Sequence, residues 1–160
     1  MNKFTIKPMT KMHAWEISNW KYDGLYSFYN RPTTSKPTVD GDTLINNSFV
    51  TYDNHGTLIG HFHFGSDAQI PTIENFNYSS NYLDIGLGLH PELCGQGYGV
   101  QFITFIIEFA KEQYGSKKCR LSVATFNERA QKVYEKVGFN KTCEVTNSYF
   151  KNKFYIMTLE

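Results

Sequence analysis

The chain has 160 residues, which suits one domain with a sizeable core, and its 41% hydrophobic and 16% aromatic content excludes a disordered polypeptide. Its 16 basic and 15 acidic residues nearly cancel and form no conspicuous cluster, so nucleic acid is excluded as an expected partner. Because the chain has no apolar run of the ~20 residues that span a bilayer and no signal-peptide core, we expect a cytoplasmic protein without a membrane partner.

The first part of the chain predicts a strand, a short helix and an aromatic segment. Residues 3–9 favour a strand, and Thr10 is placed to cap the helix that follows. Residues 20–29 then crowd large rings around the turn signal Asp23-Gly24, a pattern that more often indicates core than a binding site. Residues 30–42 are rich in Pro, Thr, Ser and Asp, which predicts an exposed loop.

A hairpin and a second loop are predicted next. Residues 47–53 and 57–65 read as strands, and the sequence Asp53-Asn54-His55-Gly56 between them is a strong hairpin signal. The following residues, about 66–81, predict a loop.

The second half alternates helices and strands. A helix is expected to run to about Tyr114, with the stop signal Gly115 behind it. Asn127 is expected to cap a further helix that buries an apolar stripe and ends at Gly138. The stripe consists of Ala130, Val133 and Val137. The remaining predicted elements are strands at 118–125, 142–150 and 154–159, the last two joined at Lys151-Asn152-Lys153.

A glycine-rich turn between a strand and a helix is the most informative segment. The apolar strand that ends at Leu89 leads through His90-Pro91-Glu92 to glycines at 95, 97 and 99. Glycines leave backbone N–H groups uncovered where a helix begins, and such an N-terminus favours an anion such as a diphosphate. The dinucleotide fingerprint would need glycine at 100 or 102, and the P-loop would need Gly-Lys-Ser/Thr, so neither motif fits.

This turn resembles the acyl-CoA-binding motif of the GNAT superfamily of N-acyltransferases. The resemblance extends downstream to Leu121–Phe139, which contains the superfamily's Asn-x-x-Ala helix start at Asn127, a tyrosine at 134 and a closing Gly-Phe. It implies an α/β (α+β) fold in which one domain, residues 1–160, holds a mixed, mostly antiparallel central sheet flanked by helices. It also implies transfer of an acetyl group from acetyl-CoA, used as co-substrate, to a primary amine of a small molecule or peptide. In this superfamily the region of residues 20–29 commonly contributes to the acceptor site, so the resemblance also allows the aromatic segment to shape a pocket for the amine.

The resemblance implies a set of cofactor-binding residues. In these enzymes the strand before the turn binds the pantetheine arm, the turn binds the pyrophosphate, and the later helix contributes side chains. The corresponding residues here are Leu87, Gly88, Leu89, Cys94, Gly95, Gln96, Gly97, Tyr98, Gly99, Val100, Asn127, Ala130 and Tyr134. Cys94 departs from the usual Gln or Arg, and since it removes a side-chain donor we expect weaker cofactor affinity with function retained.

Two residues are candidates for proton transfer. Aminolysis of a thioester needs a group that accepts the proton of the amine and a group that protonates the leaving thiolate. Asp84 is the first candidate base, an ordered water is the alternative, and Asp84 is equally compatible with a purely structural role. Tyr134 is the implied acid, with a core tyrosine as the alternative.

The histidines and cysteines allow further interpretations, and so does the chain as a whole. His61 and His63 form an H-x-H pair that with His90 or Cys94 would make a metal site, but without a third ligand at fixed spacing we expect no metal. The three scattered cysteines are expected to be free thiols, and covalent catalysis through Cys94 is a remote alternative. A non-catalytic acyl-CoA sensor is the rival function, and a homodimer through an edge strand is conceivable.

Overall fold

The computed structural model describes residues 4–115 and 118–160. Among these, seven strands are present: β1 Thr5–Thr10, β2 Leu44–Tyr52, β3 Leu58–Phe64, β4 Tyr82–Leu89, β5 Lys118–Ala124, β6 Asn140–Thr146 and β7 Lys153–Leu159. The α-helices of the same residues are α1 Lys11–Ser18, α2 Tyr98–Tyr114 and α3 Glu128–Val137. Short 3₁₀ helices cover Gly24–Tyr29, Gly65–Ala68 and Pro91–Leu93.

The strands form one mixed sheet in the order β1-β2-β3-β4-β5-β7-β6. Strands β4 and β5 are parallel, and helix α2 connects them, as a parallel crossover requires. The pairs β1–β2, β5–β7 and β6–β7 are antiparallel. This mostly antiparallel sheet with flanking helices confirms the fold class expected from the sequence.

The chain divides into two compact units, each with its own apolar core. Unit 1 comprises the described residues up to Phe62 together with Leu87–Cys94. A cluster of Met9, Ile17 and Val50 forms its buried centre, and the rings of Phe49 and Phe62 stack with their centroids 5.3 Å apart.

Unit 2 comprises His63–Gly86 and Gly95–Glu160. Helix α2 supplies much of its core through one face, whose buried residues are Phe102, Ile103, Ile106, Ile107 and Ala110. Phe64 extends this core through ring contacts with Phe109 at 6.3 Å and Tyr114 at 5.3 Å. Helix α2 ends at Tyr114, as expected from the sequence.

Capping and turn residues determine where most of the helices and hairpins begin and end. Thr10 caps α1 as expected, and its Oγ1 accepts a hydrogen bond from the His13 N–H at 3.2 Å. Gly138 ends α3 in the left-handed region with φ 116°, and Gly115 ends α2 with φ 81°. The hairpin signal is also confirmed, because Asp53 Oδ1 accepts from the N–H groups of His55 and Thr57.

Three local predictions were wrong in detail. The aromatic segment forms a 3₁₀ helix over Gly24–Tyr29, where only a turn was expected. In α3 the apolar stripe is only half-buried, and the residue that is fully buried is Gln131. Its Nε2 donates to the backbone oxygens of Ala124 and Thr125, and these hydrogen bonds satisfy the buried amide. Helical periodicity had instead placed the apolar stripe of α3 on the buried face.

The last hairpin also begins earlier than expected. Strand β6 ends at Thr146, because the Asn147 Oδ1 accepts from the N–H groups of Tyr149 and Phe150 and closes a turn there. Among the described residues, Cys94, Cys119 and Cys143 are not joined in a disulfide. No helix in the described parts of the chain has the length and apolarity to span a bilayer.

Candidate active site

The glycine turn of unit 2 ends directly at the first turn of helix α2. Gly95 and Gly97 have φ values of 76° and 86°, in the left-handed region that glycine adopts without strain. Gly97 is the N-cap, and it offers no side chain to the first N–H groups of the 17-residue helix. These donors and the positive end of the helix dipole therefore stay available to an anion.

An arginine from another element lies beside this turn. A Cβ atom built on Gly95 would lie 3.3 Å from Nη1 of Arg129, so the guanidinium is in contact with the turn. Arg129 is the second residue of α3 and was not among the residues expected from the sequence. Its signal is weak, since a basic residue in a helical first turn is common and only the fold brings it to residue 95.

Helices α2 and α3 pack closely at the start of α2. A Cβ atom on Gly99 would lie 2.9 Å from Cγ2 of Val133, a distance that real side chains do not tolerate. Glycine at 99 is therefore required for the approach of α3 to the first turn of α2. Val100, the next residue, is half-buried in the same turn.

Helix α3 orders the remaining predicted residues of unit 2. The Asn127 Oδ1 accepts a hydrogen bond from the Ala130 N–H at 3.1 Å, so the expected N-cap is confirmed. Tyr134 lies two turns from that cap, is half-buried, and contacts the Phe139 ring with a centroid distance of 6.0 Å. The tyrosine is thus partly exposed while its ring contacts the buried ring of Phe139.

Asp84 forms a buried ion pair with Arg120, also within unit 2. Arg120 Nε donates to Asp84 Oδ1 at 2.6 Å, and Arg120 Nη2 donates to Oδ2 at 2.8 Å. Gln69 Nε2 adds a third hydrogen bond to Oδ2 at 2.9 Å. Both carboxylate oxygens therefore accept hydrogen bonds from side chains, and only 6% of the Asp84 side chain is exposed.

Aromatic rings surround the guanidinium of this ion pair. Its central carbon lies 5.0 Å from the ring centroid of Tyr78, 5.3 Å from that of Tyr82 and 5.7 Å from that of Phe76. Burial raises the pKa of Tyr78, and its hydroxyl donates to the backbone oxygen of Ile70. The cluster ties the loop after β3 to strands β4 and β5.

The other predicted residues, Leu87, Gly88, Leu89 and Cys94, lie in unit 1. A Cβ atom on Gly88 would lie 2.4 Å from Nε2 of His61, so glycine is required for this imidazole to lie against the strand. The Cys94 thiol faces the backbone oxygens of His90 and Leu89, at 3.6 and 3.8 Å.

The two histidines of the H-x-H pair each lie against a glycine. His63 contacts Gly86 in unit 2, where a Cβ atom would lie 2.3 Å from its Nε2. Within the described residues, no group of three or more His, Cys, Asp or Glu side chains is arranged to hold a metal ion. The pair is thus accounted for by packing against β4.

Comparisons with known proteins agree with this geometry. The sequence profile of the Acetyltransferase (GNAT) family matches residues 11–139. Among curated protein sequences, none matches the chain significantly.

Solved structures share the fold at low sequence identity. A chimera of the spermidine N-acetyltransferase SpeG from Vibrio cholerae with hSSAT is 19% identical, with a TM-score of 0.69 over 98% of this chain and 94% of that one. The aminoglycoside acetyltransferase AAC(6')-Ib, in complex with coenzyme A, is 18% identical, with a TM-score of 0.70 over the same shares.

The match covers the glycine turn, Asn127, Tyr134 and the closing Gly138-Phe139, which are the residues that carried the resemblance. Members of the family take the acetyl group from acetyl-CoA, and the chain is an N-acetyltransferase that uses this co-substrate. The chain belongs to the GNAT family of acetyltransferases.

Proposed function

We propose that the protein acetylates a primary amine of a small molecule by direct attack of the amine on the thioester of acetyl-CoA. The observation that carries this proposal is the glycine turn at the N-terminus of α2 with the Arg129 guanidinium beside it. Backbone N–H groups, a helix dipole and one fixed cation together suit a pyrophosphate. A peptide N-terminus is the second acceptor class that this chemistry allows.

The proposal assigns the acetyl end of the cofactor to the backbone of strand β4 around Leu87–Leu89. At Gly88 the place of a side chain is taken by the His61 imidazole, so the groups that β4 itself would offer there are backbone N–H and C=O groups. A backbone N–H aimed at the thioester oxygen would stabilise the charge that develops on it during attack, which is usually the largest catalytic contribution in acyl transfer.

The contacts of Asp84 favour an ordered water over this carboxylate as the general base. A base needs an unengaged lone pair within reach of the substrate, about 2.6–3.2 Å between heavy atoms. Asp84 instead accepts three side-chain hydrogen bonds and pairs with a buried guanidinium. We therefore propose a structural role for Asp84 and transfer of the amine proton to solvent through water.

Tyr134 is proposed as the acid that protonates the leaving thiolate. Its hydroxyl would give its proton to the sulfur as the carbon–sulfur bond breaks, and it would regain the extra proton that the attacking nitrogen carries after it adds to the thioester carbonyl. Covalent catalysis through Cys94 is disfavoured, because that thiol faces the carbonyls of its own turn.

Replacement of the Tyr134 hydroxyl tests the proposed function. We expect Tyr134→Phe to lower kcat by about 10²-fold, the size of a typical general-acid contribution, with acetyl-CoA affinity unchanged. Release of free CoA thiol in the presence of pooled primary amines is the readout. Tyr149→Phe is the matched control, since Tyr149 is 80% exposed on the β6–β7 turn and loses the same hydroxyl.

Two outcomes would count against the proposal. Unchanged turnover of Tyr134→Phe would remove the acid from the mechanism and leave the transferase intact. Tight acetyl-CoA binding without thiol release for any amine would instead favour the rival function, an acyl-CoA sensor.

A further inference from the structure

The aromatic segment, residues 20–29, packs against the core cluster of Met9, Ile17 and Val50 through Trp20, and its other rings lie outside that cluster. Its five aromatic residues are all only half-buried, and Leu25 in its centre is 72% exposed. The 3₁₀ helix over Gly24–Tyr29 buries none of its residues. The rings of Tyr22, Tyr26, Phe28 and Tyr29 therefore form a partly exposed aromatic surface next to Trp20.

The rings contact one another within unit 1, mostly in edge-to-face geometry, with the Trp20 and His61 rings tilted at 47°. Trp20 contacts His90 with a centroid distance of 5.0 Å and His61 at 5.8 Å. Tyr29 contacts Phe28 at 5.4 Å and Tyr22 at 6.5 Å. Aromatic pairs in this geometry stabilise each other, so the surface is ordered before a ligand arrives.

Polar contacts fix the segment against the end of strand β4. The Tyr22 hydroxyl donates to the backbone oxygen of Leu89 at 2.6 Å. The Asn30 side chain holds the backbone of Tyr22 on both sides, accepting from its N–H and donating to its oxygen. The aromatic surface therefore lies beside the strand to which the proposed function assigns the acetyl group.

The charges of this surface do not suit a polycation. Residues 20–31 contain Lys21, Asp23 and Arg31, so their formal charge is +1. Lys21 Nζ donates to the backbone oxygens of Ser18 and Arg31, which keeps a cation at the surface. An acceptor with several ammonium groups would need several carboxylates, and Asp23 is the acidic residue available in this segment.

We infer that the acceptor is an arylalkyl amine, with a single ammonium group and an aromatic ring. This inference rests on the proposed function and specifies its substrate class. Rings of the substrate would stack on the aromatic segment, and the ammonium would be attracted to ring faces until it loses its proton. The acceptor class thereby differs from spermidine and the aminoglycosides, which the structurally similar enzymes named above acetylate.

A competition among amines of known chemistry tests this class. The intact protein with acetyl-CoA is given 2-phenylethylamine, 2-cyclohexylethylamine, spermidine and kanamycin, and thiol release is measured for each. We expect kcat/KM for 2-phenylethylamine to exceed that for spermidine and kanamycin by at least about 10-fold, with the cyclohexyl analogue between them.

A matched pair of tryptophan variants separates recognition from folding. Trp20→Phe is expected to lower the kcat/KM ratio of 2-phenylethylamine to spermidine about 3- to 10-fold through KM, the effect of one weakened ring contact. Trp15→Phe is the control, because it replaces the same side chain outside the aromatic segment. The Trp15 indole N–H donates to the Thr34 backbone oxygen, and its replacement should leave the ratio unchanged.

The outcomes distinguish failure of the substrate class from failure of the proposed function. A preference for spermidine or kanamycin, or equal loss of the ratio in both variants, overturns the arylalkyl class and leaves the transferase standing. Absence of thiol release with every amine overturns the proposed function and the substrate class together.

Discussion

Asp84 shows how the surroundings of one residue decide between two chemical roles. Its sequence position is equally compatible with a general base and with a structural role, whereas the structure gives the carboxylate a buried arginine and an amide as partners. A buried ion pair contributes little net stability compared with apolar residues of the same volume, but the loss of one partner leaves a costly unpaired charge. The two roles therefore predict different behaviour of single and double variants.

Asp84→Leu should lower the free energy of unfolding by about 3–5 kcal/mol, and Asp84→Leu/Arg120→Met should recover most of that loss. If Asp84 is structural, the double variant also retains most of its acetyl transfer. Denaturant unfolding and thiol release on the same samples provide both readouts. A stable double variant without activity would restore Asp84 as the base.

Helix termini were the best predicted elements of this fold. Thr10, Asn127, Gly115 and Gly138 mark boundaries by chemistry that acts within four residues, and each was recognised from the sequence. The contact of Arg129 with Gly95 was not recognised, since 34 residues separate the partners and only the packing of α3 on α2 brings them together. The burial of Gln131 was missed because its side-chain amide is satisfied by the carbonyls of Ala124 at the end of β5 and of Thr125 in the turn after it, which helical periodicity does not show.

The cap of α1 contains a titratable group. His13 Nδ1 accepts from the Thr10 N–H at 3.0 Å, so this nitrogen must be unprotonated, and Nε2 lies 2.9 Å from the Tyr52 hydroxyl. Burial lowers the pKa of His13, with a further lowering by Lys7 and an opposing effect of Glu16. The folded state therefore favours the neutral imidazole.

Because the folded pKa lies below the unfolded value, the stabilisation is complete above about pH 6.5 and is lost as the pH falls through the window between the two. We expect the wild-type free energy of unfolding to decline over this window more than that of His13→Gln, which keeps a capping box without titrating. Urea unfolding at a series of pH values measures the difference. Parallel pH profiles of the two proteins would rule out a contribution from His13.

At the scale of the whole molecule, the sequence predicts one domain, and we propose that residues 1–160 unfold as one. Tryptophan fluorescence reports on unit 1 alone, since Trp15 and Trp20 are the two tryptophans of the chain and both lie there. Circular dichroism reports on helices and strands of both units. Coincident denaturation curves are expected for one cooperative domain, and two separated midpoints would show two independent ones.

The proposed function requires that acetyl-CoA binds at the start of α2, and calorimetric titration with acetyl-CoA measures this most directly. We expect micromolar binding that NAD and ATP do not reproduce and that Arg129→Gln weakens about 10-fold, the size of one lost charge-assisted contact. Equal binding of NAD or ATP, or no binding of acetyl-CoA, would contradict the assignment of the glycine turn.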